Sequence, residues 1–221
     1  MMSDLHRVPR NTFVKLTSIP ILSDLDGTLI ESKESVVSAF RWWAALRGLS
    51  PDVVERIRYG RTSTDVAAEL APHLDPAIEG RLLDDRQAEV TAGVAALPGA
   101  LELLSSHERL AIVTSAPWRL AQSRLRAAGL PMPRHLATPE LWVRGKPDPE
   151  PFLKGAALLG ARPEECVVLE DAPAGVESGR RAGMRVIAIL TSHTPEQLHD
   201  ATMHIRSLHE LPAALAKLGL L

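Results

Sequence analysis

Four short apolar runs, separated by helical stretches, constrain the fold of this chain more than any other feature of its sequence. The runs lie at 19–22, 110–113, 167–169 and 186–190, and each has the length of a strand buried on both faces. Helical stretches over 120–128 and 151–159 end at Gly129 and Gly160. Strands that alternate with helices predict an α/β fold, specifically a Rossmann-like doubly wound parallel sheet.

One segment, from about 34 to 94, interrupts this alternation. It contains no convincing strand, and its periodicity predicts amphipathic helices over 35–46, 51–58 and 64–70. We interpret it as a small helical domain inserted after the first strand. The predicted division is a core of residues 1–31 and 96–221 and a helical cap of residues 32–95.

Charge and composition exclude several classes of partner. The 221 residues carry a formal net charge of −2 without a basic stripe, so we expect no nucleic acid and no anionic membrane surface as partner. No window approaches the roughly 18 to 20 apolar residues that span a bilayer, and residues 1–20 show no signal-peptide pattern. The single cysteine, Cys166, lies in an apolar run and is predicted to be a buried strand thiol. These features indicate a cytoplasmic protein.

Polar and charged side chains collect where the predicted strands end. Two acids follow the first strand, two hydroxyls follow the second, two acids follow the third, and a lysine lies in the loop 145–149. These residues are Asp24 and Asp26, Thr114 and Ser115, Glu170 and Asp171, and Lys146. Because ligands of open parallel sheets bind at the carboxyl ends of strands, we expect these residues to form one site.

The residue types in this set favour phosphoryl transfer. Asp24 and Asp26 are two residues apart and project to one side of the strand end. Carboxylates this close do not both stay ionised without a cation, and the acids at 170–171 strengthen that expectation. Mg²⁺ is the natural oxygen-ligated cation here. Lys146 supplies a positive charge, and the Thr114 and Ser115 hydroxyls supply donors for phosphate oxygens.

The two aspartates are predicted to have different roles. Asp24, kept anionic by the metal, attacks phosphorus and forms an aspartyl-phosphate. Asp26 binds the metal through its backbone carbonyl, so its carboxyl group is free to protonate the leaving alcohol and then activate water. Gly27 and Thr28 allow the backbone to turn sharply, so we expect its N–H groups there to face the substrate phosphate.

The sequence resembles the haloacid dehalogenase superfamily of phosphatases. D-L-D-G-T at Asp24, Thr114 after an apolar strand, Lys146, and Glu170-Asp171 occur in the order of that superfamily's four motifs, and the inserted helices are similar to its cap. The blocks G-K-P-D-P-E-P-F-L-K-G (145–155) and E-D-A-P-A-G-V (170–176) are similar to its sugar and polyol phosphate phosphatases. Their substrates include 2-deoxyglucose 6-phosphate, hexitol phosphates and glycerol phosphate.

The resemblance implies a Mg²⁺-dependent phosphatase for a small phosphate ester, and we expect a monomer or a weak dimer. It implies that Asp24, Asp26 and Asp171 hold the metal and that Glu170 supports it. Ser23 stands where the family usually has phenylalanine, and the amino terminus is longer than usual.

Several alternatives stay open at this point. A mutase of the β-phosphoglucomutase type uses the same aspartyl-phosphate and the same motifs. A dehalogenase is disfavoured because it needs no second aspartate, and a scaffold protein is disfavoured because no motif residue has been lost. Arg61 either reaches the substrate from the cap or is solvated. His193 is expected at the surface.

Overall fold

The computed structural model describes residues 18–57 and 59–221, and its main body is a six-stranded parallel sheet. The strands of the chain are β1 (Ile21–Ser23), β2 (Ile30–Glu31), β3 (Ala95–Ala96), β4 (Leu110–Val113), β5 (His135–Ala137), β6 (Val167–Glu170), β7 (Arg185–Ile189) and β8 (Met203–Ile205). The order in the main sheet is β5-β4-β1-β6-β7-β8, with every neighbour parallel. The predicted α/β fold with a Rossmann-like sheet is confirmed.

The apolar runs arise because each strand is buried on both faces. Successive side chains point to opposite faces, so Ile21 and Ile112 pack in one hydrophobic cluster while Leu22 and Ala111 pack in another. The first cluster is covered by α4 (Ala100–Ser106), α5 (Trp118–Ala127) and α8 (Leu211–Lys217). The second is covered by α6 (Glu150–Leu158) and α7 (Pro173–Arg181).

The order of the strands reverses at β1, and this position determines where a ligand can bind. From β1 the chain builds β4 and β5 on one side and then β6, β7 and β8 on the other. The crevice at the carboxyl ends of the strands therefore opens at β1, immediately before Asp24. Sequence analysis did not predict β5 or β8. Both are three-residue edge strands that are only partly buried, so they lack a long apolar run.

The inserted segment forms helices around a hydrophobic cluster of its own. The helices are α1 (Lys33–Arg47), α2 (Ser63–Leu70) and α3 (Pro76–Glu89), together with a 3-10 helix over Pro51–Arg56. Trp43 is fully buried there, and its Nε1 donates a hydrogen bond of 2.6 Å to Glu79. Arg47 pairs with the same carboxylate at 2.9 Å, so the buried acid is compensated. Trp42 also packs on this cluster, beneath the Arg86 guanidinium.

Sequence analysis did not single out α3, because its composition is largely polar. Its start carries a recognisable signal in Asp75 and Pro76, a capping residue followed by proline in the first turn. Oδ1 of Asp75 accepts hydrogen bonds from the N–H groups of Ala77 and Ile78.

A two-stranded antiparallel ribbon, β2 with β3, joins the helical insertion to the sheet. Ile30 is opposite Ala96 and Glu31 is opposite Ala95, so the two crossings of the chain lie side by side. The predicted boundaries at 31/32 and 95/96 lie at this ribbon. We call the inserted helices, α1 to α3 with the segments between them, the cap; their division from the core as a separate domain stays a prediction. The amino-terminal extension before residue 18 lies outside the described residues, as does Arg58. None of the described helices is long and apolar enough to cross a membrane.

Candidate active site

Asp24 lies at the centre of the candidate site. It follows β1 directly and is buried, with 4% exposure. Since β1 pairs with β6, the carboxylate of Asp24 comes close to Glu170 and Asp171 at the carboxyl end of β6. One carboxylate oxygen each from Asp24, Glu170 and Asp171 lies within 4.8 Å of the others. The three acids predicted from separate motifs therefore form one buried cluster.

Lys146 lies inside this cluster, and its side chain is completely buried. Its Nζ donates to Asp24 Oδ1 at 2.5 Å, to Glu170 Oε1 at 2.6 Å and to the carbonyl oxygen of Val113 at 3.1 Å. Burial by itself lowers the pKa of Lys146, but Asp24 and Glu170 outweigh it, so the pKa is raised. The lysine is therefore a fixed positive charge beside the predicted nucleophile.

The remaining negative charge in the cluster is only partly compensated. Burial raises the pKa of Asp24 to about 8; Glu170 and Asp26 add to the rise, and Lys146 opposes it. The pKa of Asp171 is also raised, first by burial and then by Glu170 and Asp24. Carboxylate oxygens in this arrangement are the ligands that a hard divalent cation prefers. The donor set therefore fits the predicted metal.

Glu170 supports the site through both of its carboxylate oxygens. Oε1 accepts from Lys146, while Oε2 accepts from the backbone N–H groups of Asp171 and Ala172 at 2.9 and 3.0 Å. The first turn of α7 passes so close that a Cβ atom at Gly175 would lie 1.7 Å from Oε1. The glycine of the E-D-A-P-A-G-V block is therefore required by the position of this carboxylate.

Gly27 has a steric role that sequence analysis did not predict. Its φ is +82°, and a Cβ atom there would lie 2.1 Å from Oδ2 of Asp171. The backbone N–H groups that were predicted to face the substrate phosphate have partners within the turn. Gly27 donates to the carbonyl oxygen of Ile30 at 2.7 Å, and Thr28 donates to that of Leu25 at 3.3 Å. The departure at Ser23 is also accommodated, since its buried hydroxyl donates to the carbonyl oxygen of Asp24 at 2.7 Å.

Thr114 and Ser115 lie at the end of β4, next to the acidic cluster. Thr114 is buried, and its Oγ1 accepts from the N–H group of Ala116 at 3.0 Å. The Ser115 hydroxyl donates to the carbonyl oxygen of Gly60 in the helical insertion at 2.8 Å. The Ser115 hydroxyl, predicted as a donor to phosphate oxygens, therefore links the end of β4 to the cap.

Asp26 is held by two residues that sequence analysis missed. Its Oδ1 accepts from the Ser32 hydroxyl at 2.6 Å, and its Oδ2 pairs with the Arg124 guanidinium at 2.5 Å. Arg124 is 4% exposed and lies on the same face of α5 as Leu120 and Ala121. The signal in the sequence was that Arg124 follows the apolar residues Leu120 and Ala121 by four and three positions, which places it on the apolar face of the helix.

A cavity between the sheet and the cap opens onto these residues. From the sheet it is lined by Asp24, Asp26 and Asp171, and from the cap by Arg61, Asp84 and Gln87. The Arg61 guanidinium pairs with Glu69 at 2.8 Å, and 28% of its side chain is exposed. Arg61 is thus a cavity residue rather than a fully solvated one.

His193 was expected at the surface, and the structure corrects this. It is half-buried, and its Nδ1 lies 3.0 Å from the backbone oxygen of Asp171. Its neighbour Ser192 hydrogen-bonds the Asp171 carboxylate. Burial lowers the pKa of His193, against the opposing effects of the Asp171 backbone and of Glu170. The loop after β7 therefore borders the acidic cluster.

The half-buried Asp84 gives a prediction about stability and pH. Burial is the main cause that raises its pKa from 3.8 to about 6, against a hydrogen bond from Ser63. A raised pKa in the folded state stabilises the protein below about pH 4, and this contribution is lost as pH rises through 6. Asp84→Asn should therefore increase the free energy of unfolding at pH 8 by roughly 1–3 kcal/mol and leave it unchanged near pH 4.

Urea denaturation at both pH values measures this difference. Asp85→Asn is the matched control, because the adjacent carboxylate is more exposed, at 46%, and pairs with Arg119 at the surface. The control should change stability by less than about 0.5 kcal/mol at either pH. Equal stability of Asp84→Asn and the wild type at pH 8 would contradict the assignment.

Fold and site together define an α/β enzyme whose acidic centre lies at the switch point of a parallel sheet, beneath a helical insertion. The chain belongs to the haloacid dehalogenase-like hydrolase family, whose model matches residues 21–183. The resemblance predicted from the motifs is confirmed.

Several relatives of this chain are named as phosphatases, and solved structures share its fold. Hexitol phosphatase A of Escherichia coli (strain K12) is 41% identical over 197 residues, which cover 86% of this chain and 91% of that protein. Validoxylamine A 7′-phosphate phosphatase of Streptomyces hygroscopicus subsp. limoneus is 36% identical over 208 residues, covering 86% and 94%. The crystal structure of CbbY from Rhodobacter sphaeroides in complex with phosphate has a TM-score of 0.75 at 26% identity, covering 87% of this chain and 95% of that chain.

Proposed function

We propose that this protein is a Mg²⁺-dependent phosphatase that hydrolyses a small sugar or polyol phosphate through an aspartyl-phosphate on Asp24. The observation that carries the proposal is the buried contact of Lys146 with Asp24, inside the cluster completed by Glu170 and Asp171. The substrate class is supported by two relatives, whose names give a hexitol phosphate and validoxylamine A 7′-phosphate as their substrates.

The metal would be held by the carboxylates of Asp24 and Asp171 and by the backbone carbonyl of Asp26, with Glu170 in support. When bound, Mg²⁺ offsets the charge of these carboxylates and of the phosphate oxygens, so that an anionic nucleophile can approach an anionic ester.

The side chains then divide the reaction between them. A carboxylate oxygen of Asp24 attacks phosphorus, and the bond from phosphorus to the ester oxygen breaks. Asp26 gives its proton to the departing alkoxide, which leaves as a neutral alcohol. Lys146 and the Thr114 hydroxyl stabilise the charge on the transferred phosphoryl oxygens. Asp26 next takes a proton from the water that attacks the aspartyl-phosphate, and this step releases phosphate and regenerates Asp24.

Arg61 is proposed to contact the part of the substrate beyond the phosphate. It lines the cavity from the cap. Asp84 lines the same cavity and offers a carboxyl group for the hydroxyls of a sugar or polyol, whereas the amide of Gln87 is already bonded to Arg124 and Ser63.

Phosphate release from a panel of sugar and polyol phosphates, with Mg²⁺ present, tests the proposal. A phosphatase releases inorganic phosphate, whereas a mutase of the β-phosphoglucomutase type isomerises its substrate without net release. Isomerisation without release would replace the hydrolase proposal with the mutase.

Removal of the metal gives a further prediction. EDTA should stop phosphate release, and added Mg²⁺ should restore it, because the clustered carboxylates oppose an anionic substrate without a cation. Mg²⁺ should also raise the melting temperature of the wild type, since binding to the folded state alone stabilises it. Asp171→Asn should show a smaller rise. Full activity in EDTA would contradict the assignment.

A further inference from the structure

Arg124 joins the predicted acid/base residue to the cap. From α5 its Nη1 donates to Asp26 Oδ2 at 2.5 Å, and its Nη2 donates to Gln87 Oε1 on α3 at 2.6 Å. Gln87 Nε2 in turn donates to the Ser63 hydroxyl at 3.1 Å, and that hydroxyl donates to Asp84 at 2.6 Å. A continuous chain of hydrogen bonds therefore runs from Asp26 into the cap.

The two residues that follow Asp26 in this series of hydrogen bonds are buried, so their side-chain positions are fixed by protein contacts. Arg124 and Gln87 are each 4% exposed, so the guanidinium has little water to replace its protein partners. The guanidinium of Arg124 is planar and rigid, so it can donate hydrogen bonds to a carboxylate oxygen and an amide oxygen at the same time. Asp26 is held at its other oxygen by Ser32, so both oxygens have defined partners. Withdrawal of α3 would remove one of the two acceptors that orient Arg124.

We propose that Arg124 is a positioning residue that orients the Asp26 carboxyl group toward the leaving oxygen, and that Gln87 makes this orientation depend on the cap lying against the core. This rests on the proposed function, in which Asp26 donates the proton to the leaving alcohol. Arg124 itself donates no proton to the substrate and forms no bond with it.

Two substrates with different leaving groups separate positioning of the acid from a general structural role. The alkoxide of a hexitol or glycerol phosphate needs a proton to leave, whereas p-nitrophenolate leaves without one. The value of kcat/KM reports the steps up to departure of the leaving group. Arg124→Ala should lower kcat/KM for the polyol phosphate by at least about 30-fold, which is part of the roughly 10²- to 10⁴-fold effect of general acid catalysis. The value for p-nitrophenyl phosphate should fall by less than about threefold.

Arg119→Ala is the matched control for this experiment. Arg119 lies on the same helix and also bridges to α3, through an ion pair of 2.6 Å with Asp85. Its side chain is 71% exposed, and neither Arg119 nor Asp85 is among the residues that line the cavity. We expect kcat/KM for both substrates to change by less than about twofold, as for exposed ion pairs in general. A selective loss with Arg119→Ala as large as that with Arg124→Ala would overturn the proposal.

Two further variants test the parts of the proposal separately. Arg124→Lys restores one contact to Asp26 and should recover part of the polyol phosphate activity. Gln87→Met keeps the ion pair of Arg124 with Asp26 but breaks its link to the cap, and should show a smaller loss of the same selective kind. Unchanged kinetics for Gln87→Met would overturn the dependence on the cap.

The outcomes distinguish this proposal from the proposed function. Melting temperatures establish that each variant is folded, and Gln87→Met carries the test if Arg124→Ala does not fold. Equal losses on both substrates, or no loss on either, would overturn the positioning role. Absence of phosphatase activity in the wild type would instead overturn the proposed function.

Discussion

Replacing Asp24 with asparagine should abolish phosphate release while the fold is kept. The carboxamide has nearly the same shape and can still accept a hydrogen bond from Lys146, but it lacks the anionic oxygen that attacks phosphorus. We expect the rate to fall by at least about 10⁴-fold, which corresponds to roughly 5.5 kcal/mol of activation free energy. Phosphate release under saturating polyol phosphate and Mg²⁺ measures the loss.

Two observations decide whether Asp24 is the nucleophile. Circular dichroism and the melting temperature should show that Asp24→Asn is folded, so that the lost activity has a chemical cause. Hydroxylamine should trap an acyl phosphate at residue 24 during turnover of the wild type and give no adduct with the variant. Residual activity close to that of the wild type would reject the nucleophile assignment.

Replacing Lys146 with methionine should impair both catalysis and stability. The substitution keeps an unbranched side chain but removes the cation between Asp24 and Glu170, which leaves two buried carboxylates facing each other. The rate should fall by at least about 100-fold, or about 2.7 kcal/mol of activation free energy. The metal-free protein should lose roughly 3–5 kcal/mol of stability near neutral pH, as expected when one partner of a buried ion pair is removed.

The stability loss should depend on pH in a defined direction. Burial already raises the pKa of Asp24 to about 8 with the lysine present, and removing the lysine takes away the main opposing effect. A carboxyl group with a raised pKa stabilises the folded state at acidic pH, and this contribution is lost as pH increases. The deficit of Lys146→Met should therefore shrink as pH is lowered toward 4. A deficit that is constant with pH would contradict this account.

Lys154→Met provides the control for the same chemical change. Lys154 lies on α6 in the same block of sequence, 145–155, but its side chain is exposed. We expect its rate to be unchanged and its stability to differ by less than about 0.5 kcal/mol. A mild effect of Lys146→Met on the rate, comparable with this control, would argue against its role at the phosphate.

The main features of the fold and the acidic centre could be predicted from the sequence because they depend on local patterns. Strands buried on both faces must be apolar at successive positions, and this pattern marked β1, β4, β6 and β7. The carboxyl ends of parallel strands meet at one edge of the sheet. This brings Asp24 close to Glu170, although the two residues are far apart in the sequence. Lys146 was predicted from its glycine and proline neighbours and its place in the series of motifs.

Other features followed only from the tertiary structure, because they depend on how the cap packs against the core. Arg124 meets Asp26 across 98 positions of sequence, and it occupies an ordinary position in a helix. Asp84 and Gln87 lie on α3, whose polar sequence is typical of a solvent-exposed helix. Only the structure shows that both residues line the cavity. The direction of the Gly27 N–H group was set by a turn hydrogen bond that a residue pattern does not specify. The sequence by itself determined which groups can carry the chemistry, since strand periodicity and motif order are local, whereas the contacts that orient those groups required the packed cap and core.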